Sequence, residues 1–344
     1  MKLSTKLPPV IFGTSGLGNI YEATPYEIKL AIVRECVNNV PGGIAIFDTA
    51  GKYGAGLALE TLGKCLKDLN VPKEKVIISN KLGWYQTELN TLEPTFEPGV
   101  WVGLKNDAVQ KISYEGILEC FEQGNQLLGD YDSQMVSIHD PDEYLKASLD
   151  QLDEKRRFND ILEAYKALFQ LKAQGRVRSV GIGAKDWRSI ERISQHIDLD
   201  WMMIANSITL KSHPKELLDF VKKTHSKGVT IINSAVFNGG FLIGSDFYNY
   251  SQVDKNTPEG IELHQWRDQF FALCQTFGIA PAEACFNFGF NISGIDSIAL
   301  STSKPYKVKG NIEMATKTIP PAFWEAMVRE GLLEGINFFN TDKK

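Results

Sequence analysis

The chain has 344 residues, 43% of them hydrophobic and 23% charged, and 37 basic against 42 acidic residues leave a net charge of −5. Those fractions match folded soluble domains and exclude disorder, collagen and coiled coil. The mild acidity, with no run of like charge, argues against nucleic acid or an anionic membrane as partner. Division of the length by about 150 suggests two domains, although α/β barrels run past about 250 residues as one.

No stretch approaches the roughly 20 apolar residues of a membrane helix. Residues Met1 to Pro9 carry two lysines and no apolar signal core, so a cytoplasmic protein is expected and the N-x-S triplets at Asn249 and Asn291 are chance matches. Five cysteines, at 36, 65, 120, 274 and 285, form no C-x-x-C pair and all fall in helix-like stretches, where reduced core thiols are expected.

In chain order, a short apolar strand at Val10–Phe12 precedes a helical pattern at Ile28–Val37, and Ile44–Asp48 precedes Leu57–Leu69. The third strand, Val76–Asn80, opens a long segment, Leu82–Ile112, that carries Trp84, Tyr85, Phe96 and Trp101. A helix at Tyr114–Leu128 follows, then a strand at Met135–His139 and a helical stripe of Ile161, Leu162, Tyr165, Leu168 and Phe169. Strands at Ser179–Gly183 and Trp201–Ala205, a helix at Pro214–Lys227 and a strand at Thr230–Asn233 come next. A second long segment, Phe237–Pro258, an extra helix at Glu259–Phe277, a helix at Ala282–Ile292 and a strand at Ser297–Ser301 complete the pattern. Gly175 and Gly228 stand where a left-handed helix cap is expected.

Eight buried-type strands alternating with helices predict a parallel sheet, and eight is the number that closes. The fold expected is a single (β/α)8 TIM barrel domain over residues 1–344, with long loops after strands 3 and 7. The alternative, an open doubly wound sheet, usually carries G-x-G-x-x-G after its first strand, whereas Gly13, Gly16 and Gly18 here are spaced G-x-x-G-x-G. Loops after strands lie on the face where barrels keep their sites, so the aromatic segment is read either as a substrate wall or as packing on the rim.

Searches for H-E-x-x-H, G-x-S-x-G and the phosphate-binding P-loop find nothing, and the histidines at 139, 196, 213, 225 and 264 have no metal-ligand spacing, so no metal is expected. What remains is polar residues at consecutive strand ends: Asp48 with Tyr53 in the following loop, Lys81, and His139. Each alone has a structural explanation, as a cap, a corner or a snorkelling cation. Together they suit carbonyl/alcohol interconversion. An ammonium beside a phenol favours the phenolate, an aspartate keeps the lysine charged and aimed, and a histidine donates to the reacting oxygen. The hydride then has to come from a cofactor.

The blocks FDTAGKYG at 47–54, SNKLG at 79–83 and SIHDP at 137–141 resemble the signatures of the aldo-keto reductases, over essentially the whole chain. The resemblance implies a (β/α)8 barrel binding NADP, with NAD possible, and a catalytic tetrad of Asp48, Tyr53, Lys81 and His139. It also implies cofactor contacts from Thr14, Asp48, Asn206, Ser234, Phe237, Thr302, Lys307 and Asn311. Several of these depart from the family pattern. Ala184 and Lys185 replace the usual Ser-Asn, Asn206 stands for a glutamine, Ser234 or Phe237 for the stacking tyrosine, and Lys307 for an arginine. With GIGAKDW at 181–187 and NGGFL at 238–242, the departures resemble the aldose 1-dehydrogenase branch. That branch implies oxidation of an L-fucose- or D-arabinose-like sugar to a lactone, with Trp84 and Trp101 stacking on the sugar. A general NADPH aldehyde or ketone reductase and a pyridoxal dehydrogenase are alternatives of the same chemistry. A non-catalytic cofactor-binding regulatory subunit is the alternative of another class.

Overall fold

Short strands whose apolar residues alternate between two buried faces have to be covered on both sides, and a sheet closed on itself does this with helices outside and side chains within. The computed structural model describes residues 7–334. It begins with β1 (Val10–Gly13), α1 (Tyr26–Asn39), β2 (Ala45–Ala50), α2 (Leu57–Asp68) and β3 (Val76–Leu82). An antiparallel ribbon of β4 (Trp84–Glu88) and β5 (Asn106–Gln110) follows, then α3 (Tyr114–Leu128) and β6 (Met135–His139). The middle of the chain supplies α4 (Pro141–Lys146), α5 (Gln151–Ala173), β7 (Ser179–Ala184), α6 (Trp187–Ser194), β8 (Trp201–Ala205), α7 (Lys215–Ser226) and β9 (Thr230–Ser234). The remainder is β10 (Phe247–Tyr248), β11 (Ser251–Gln252), α8 (Pro258–Phe277), α9 (Pro281–Asn291), β12 (Ser297–Ser301), α10 (Tyr306–Glu313) and α11 (Pro321–Arg329).

Strands β1, β2, β3, β6, β7, β8, β9 and β12 form one closed parallel barrel in that order, sealed where Val10 of β1 pairs with Ile298 of β12. All eight expected strands are present. Two differences at their ends have one cause. Strand β3 runs to Leu82 and β2 to Ala50, each two residues past the expected stop, because polar residues end the apolar run while the ladder continues through Ala50 opposite Lys81 and Lys81 opposite Ser137. The segment after the third strand is an ordered hairpin rather than a loop, since the alternating Trp84–Glu88 stretch pairs with Asn106–Gln110. Gly175 and Gly228 take positive φ just beyond α5 and α7, as a left-handed cap requires.

Ile11, Ile46, Ile77, Met135, Trp201, Met203 and Ile232 cluster inside the barrel, while their sequence neighbours, such as Phe47, Ile78, Val136 and Ile204, join the larger core under the helices. Each such side chain contributes about 1.5–3 kcal/mol when fully buried. The interior is filled: Trp201 is fully buried, and a Cβ on Gly181 would overlap its ring. All five cysteines are buried and free, on α1, α2, α3, α8 and α9. Among the described residues no helix is long and apolar enough to cross a membrane, and no group of three His, Cys, Asp or Glu could hold a metal ion.

Candidate active site

Strand periodicity builds the inner part of the site. Side chains two apart share a face, so Asp48 follows Ile46, Lys81 follows Ile77 and Ser79, and His139 follows Met135 and Ser137 into the barrel mouth. Lys81 Nζ lies 2.5 Å from Asp48 Oδ2, with both side chains buried. The lysine stem passes over Gly183, where a Cβ would stand 3.0 Å from Lys81 Cδ. Tyr53 arrives from the loop after β2. That loop is seated against the loop after β1, so closely that a Cβ on Gly18 would come 2.8 Å from the Tyr53 carbonyl. The Lys81 ammonium lies 4.8 Å from the Tyr53 ring centre, and the ring meets His139 edge-on at 5.4 Å. The four residues are therefore brought together.

Their electrostatics differ from the expectation at one point. Burial, and then the Asp48 carboxylate, hold the Tyr53 phenol well above its ordinary pKa, whereas the sequence pointed to a lowered one. The physical reason is that loss of water dominates at the phenol and the Asp48 carboxylate, paired with Lys81, adds to it. The resting phenol is protonated. Burial, with the ammonium groups of Lys81, Lys52 and Lys185, depresses His139 well below the usual histidine range and keeps its ring neutral. Burial pushes the Asp48 carboxyl up, and the Lys81 ammonium opposes that shift.

A second set of charges surrounds this core. Lys52, 3% exposed, meets Glu97 at 2.7 Å, Glu143 at 2.9 Å and Asp140 at 3.6 Å. Lys185 meets the same Glu143 at 2.5 Å and Asp140 at 3.5 Å. None of these was singled out from the sequence as a site residue. The available signal was position: Lys52 precedes Tyr53, and Asp140 follows His139.

The expected cofactor residues divide into two groups. Asn206, at the end of β8 with φ +59°, is buried and its Oδ1 has no partner, an acceptor left open at the mouth. Ser234 is buried at the end of β9, its hydroxyl 3.4 Å from the Ile204 carbonyl, and Phe237 is half-buried three residues on. Thr14 is committed to structure, donating its hydroxyl to the Asp48 carbonyl at 3.1 Å. Thr302 and Asn311 do not meet the tetrad; they line a narrow cleft with Val10, Phe12 and Val308, where β12 passes into α10. Lys307 is exposed near the start of α10. Lys185, standing where the family pattern has an amide, is engaged with carboxylates instead.

The two tryptophans also differ. Trp101 is 7% exposed, packs on Tyr53 at 5.8 Å and donates its indole N–H to Glu97 at 2.7 Å, so it backs the phenol and offers little open face. That answers the choice between wall and packing for Trp101 in favour of packing. Trp84 stays partly exposed, against Phe96 and under Lys52.

The sequence model of the aldo/keto reductase family matches residues 9–329. Pyridoxal 4-dehydrogenase of Microbacterium luteolum is 24% identical over 335 residues, 93% of each chain. D-threo-aldose 1-dehydrogenase of a Pseudomonas species is 24% identical over 342 residues, 95% of each. Among solved structures, a glycerol dehydrogenase from Gluconobacter oxydans superposes with TM-score 0.69 at 16% identity, covering 99% of this chain and 97% of that one.

Proposed function

The chain belongs to the aldo/keto reductase family and is an NAD(P)-dependent oxidoreductase, and we propose that its substrate is an aldose of the L-fucose or D-arabinose type, oxidised at the anomeric carbon to a lactone. The convergence of Asp48, Lys81, Tyr53 and His139 at the barrel mouth carries this reading. A nicotinamide bound there accepts the hydride in oxidation and supplies it in reduction. In oxidation the Tyr53 phenolate takes the proton of the anomeric hydroxyl as the new C=O forms, and in reduction the phenol gives its proton to the carbonyl oxygen. The Lys81 ammonium steadies the phenolate, Asp48 keeps that ammonium aimed, and the neutral His139 ring donates an N–H to the substrate oxygen.

The open Asn206 Oδ1 fits a carboxamide N–H, and Lys307, Thr302 and Asn311 fit a nucleotide phosphate near α10. We read that phosphate as the 2′-phosphate that NADP carries and NAD lacks, and so take NADP before NAD. The partly exposed Glu97, Glu143 and Lys185 suit the hydroxyls of a sugar, and Trp84 its apolar face. The five buried thiols suit the reducing cytoplasm, and the substrate is a small molecule. Reduction of a simple aldehyde, or turnover of pyridoxal, is a second reading, favoured by the protonated resting phenol.

The test is a substrate panel with purified protein: NADP-linked oxidation of L-fucose, D-arabinose and pyridoxal, against NADPH-linked reduction of a simple aldehyde. Sugar oxidation at an enzyme-like rate is expected, with Tyr53→Phe as background. Sugar rates no higher than that background would end the aldose reading, and aldehyde or pyridoxal turnover would then replace it.

A further inference from the structure

Burying an ammonium among carboxylates is costly, and apolar residues of similar volume are often as stable, so an arrangement of this kind asks for a reason besides stability. Lys52 has three carboxylate partners from two separate places, the hairpin connection and the start of α4. Glu97 belongs to residues 89–105, which connect the two strands of the hairpin; Asp140 directly follows His139; Glu143 lies in α4. Lys52 itself directly precedes Tyr53. Its ammonium thus ties the residues beside both reacting side chains to the 89–105 segment, whose Trp101 packs on Tyr53.

That segment is seated on its outer side by backbone bonds: Tyr21 N–H to the Val100 carbonyl at 2.7 Å and Val102 N–H to the Asn19 carbonyl at 3.1 Å. On its inner side the seat is Glu97, which accepts from Lys52 through one oxygen and from the Trp101 indole through the other. Trp101 in turn packs on Tyr53. Glu97 and Asp140 both stand at φ +45°, a left-handed conformation that side-chain-bearing residues adopt at a cost and that clusters at functional sites. Two of the three carboxylates are thus held by Lys52 from strained backbone positions.

We propose that Lys52 is a positioning residue whose buried ammonium latches residues 89–105 onto the Tyr53 loop and the His139 strand end, so that covering the site and aligning phenol with imidazole are one event. The inference rests on the assignment of Tyr53 and His139 as the reacting pair. It assigns to Lys52 no contact with substrate or cofactor. A misplacement of about 1 Å at reacting groups costs on the order of 100-fold in rate, which is the scale on which loss of the latch acts.

The experiment compares Lys52→Met, Lys52→Arg and Glu97→Gln with the full-length wild type. Readouts are amide hydrogen exchange across residues 89–105, NADPH affinity by tryptophan fluorescence, and kcat and KM on the best substrate of the panel above. Lys52→Met is expected to bind NADPH as wild type does, to lose roughly tenfold or more in kcat with a smaller change in KM, and to exchange at least about tenfold faster at residues 94–103. Lys52→Arg restores most of the rate. Glu97→Gln cuts the same bond from its partly exposed end, so it decides the matter if Lys52→Met does not fold. Unchanged exchange and kcat in Glu97→Gln, or lowered stability with unchanged kcat in Lys52→Met, would overturn the latch. If wild type turns over no substrate, the functional reading fails separately, and the exchange measurement still decides whether Lys52 holds the segment.

Discussion

Two buried lysines stand at the same barrel mouth and are held in opposite ways. Lys81 projects from a strand, has one carboxylate partner, and owes its place to the ladder in which Ala50 faces Lys81 and Lys81 faces Ser137. Lys52 stands in a loop, has three carboxylate partners, and owes its place to side chains that reach it from distant elements. The inner site is set by backbone register and the rim by side-chain charge. Damage to the two should differ in kind: chemistry and buried-charge cost inside, alignment at the rim.

The largest expected effect is on the inner set. Tyr53→Phe lowers kcat by about 10²–10⁴-fold with NADPH affinity retained, measured by steady-state turnover and fluorescence titration. Retained turnover would remove the phenol from the chemistry and with it the distinction. Lys81→Ala abolishes most turnover and costs about 3–5 kcal/mol in urea unfolding, because the Asp48 carboxylate is left buried and alone; adding Asp48→Asn recovers most of the stability and none of the rate. Lys52→Met should cost less stability, since Glu97 and Glu143 are 30% and 40% exposed and can turn to water. Equal losses for the two lysines would erase the contrast.

The pH profile sharpens it further. With the Tyr53 pKa raised, oxidation needs the scarce phenolate and reduction uses the abundant phenol. Oxidative kcat/KM should therefore climb from neutral pH upward by up to ~10-fold per unit, while reductive kcat/KM stays flat over the same range. Lys81→Ala moves any residual profile toward alkaline pH. The smallest effect concerns His139. Its folded-state pKa is depressed, so its contribution to stability is present above the unfolded value of about 6.5 and is lost as pH falls below it. His139→Asn should flatten the acid slope of stability by at most about 1.4 kcal/mol per pH unit, read from urea midpoints between pH 7 and 5.

The same contrast explains what was legible in the chain beforehand. Asp48, Lys81 and His139 end apolar runs, and a period of two fixes their face once the strands are recognised, so the barrel and its inner site follow from local pattern. Lys52 meets Glu143 across 91 residues, and its contact with Glu97 depends on the path of a hairpin that local pattern did not reveal. The aromatic character of Trp101 was visible; its burial against Tyr53 was not, because that depends on the bond to Glu97 and on the seating of residues 19–21. The sign of the Tyr53 shift was misread for a related reason. Proximity to Lys81 is a pairwise fact, whereas the field at the phenol is a sum that includes Asp48 and the loss of water.

Trp201, pressed on Gly181 in the filled interior, has a consequence for traffic. Among the described residues, an indole and aliphatic side chains fill the lower part of the barrel, which leaves the mouth as the side that faces water. A proton accepted by Tyr53 has to leave by the doorway through which substrate enters. Recharging the phenol and releasing product then both use the barrel mouth, so the two are not separated in space.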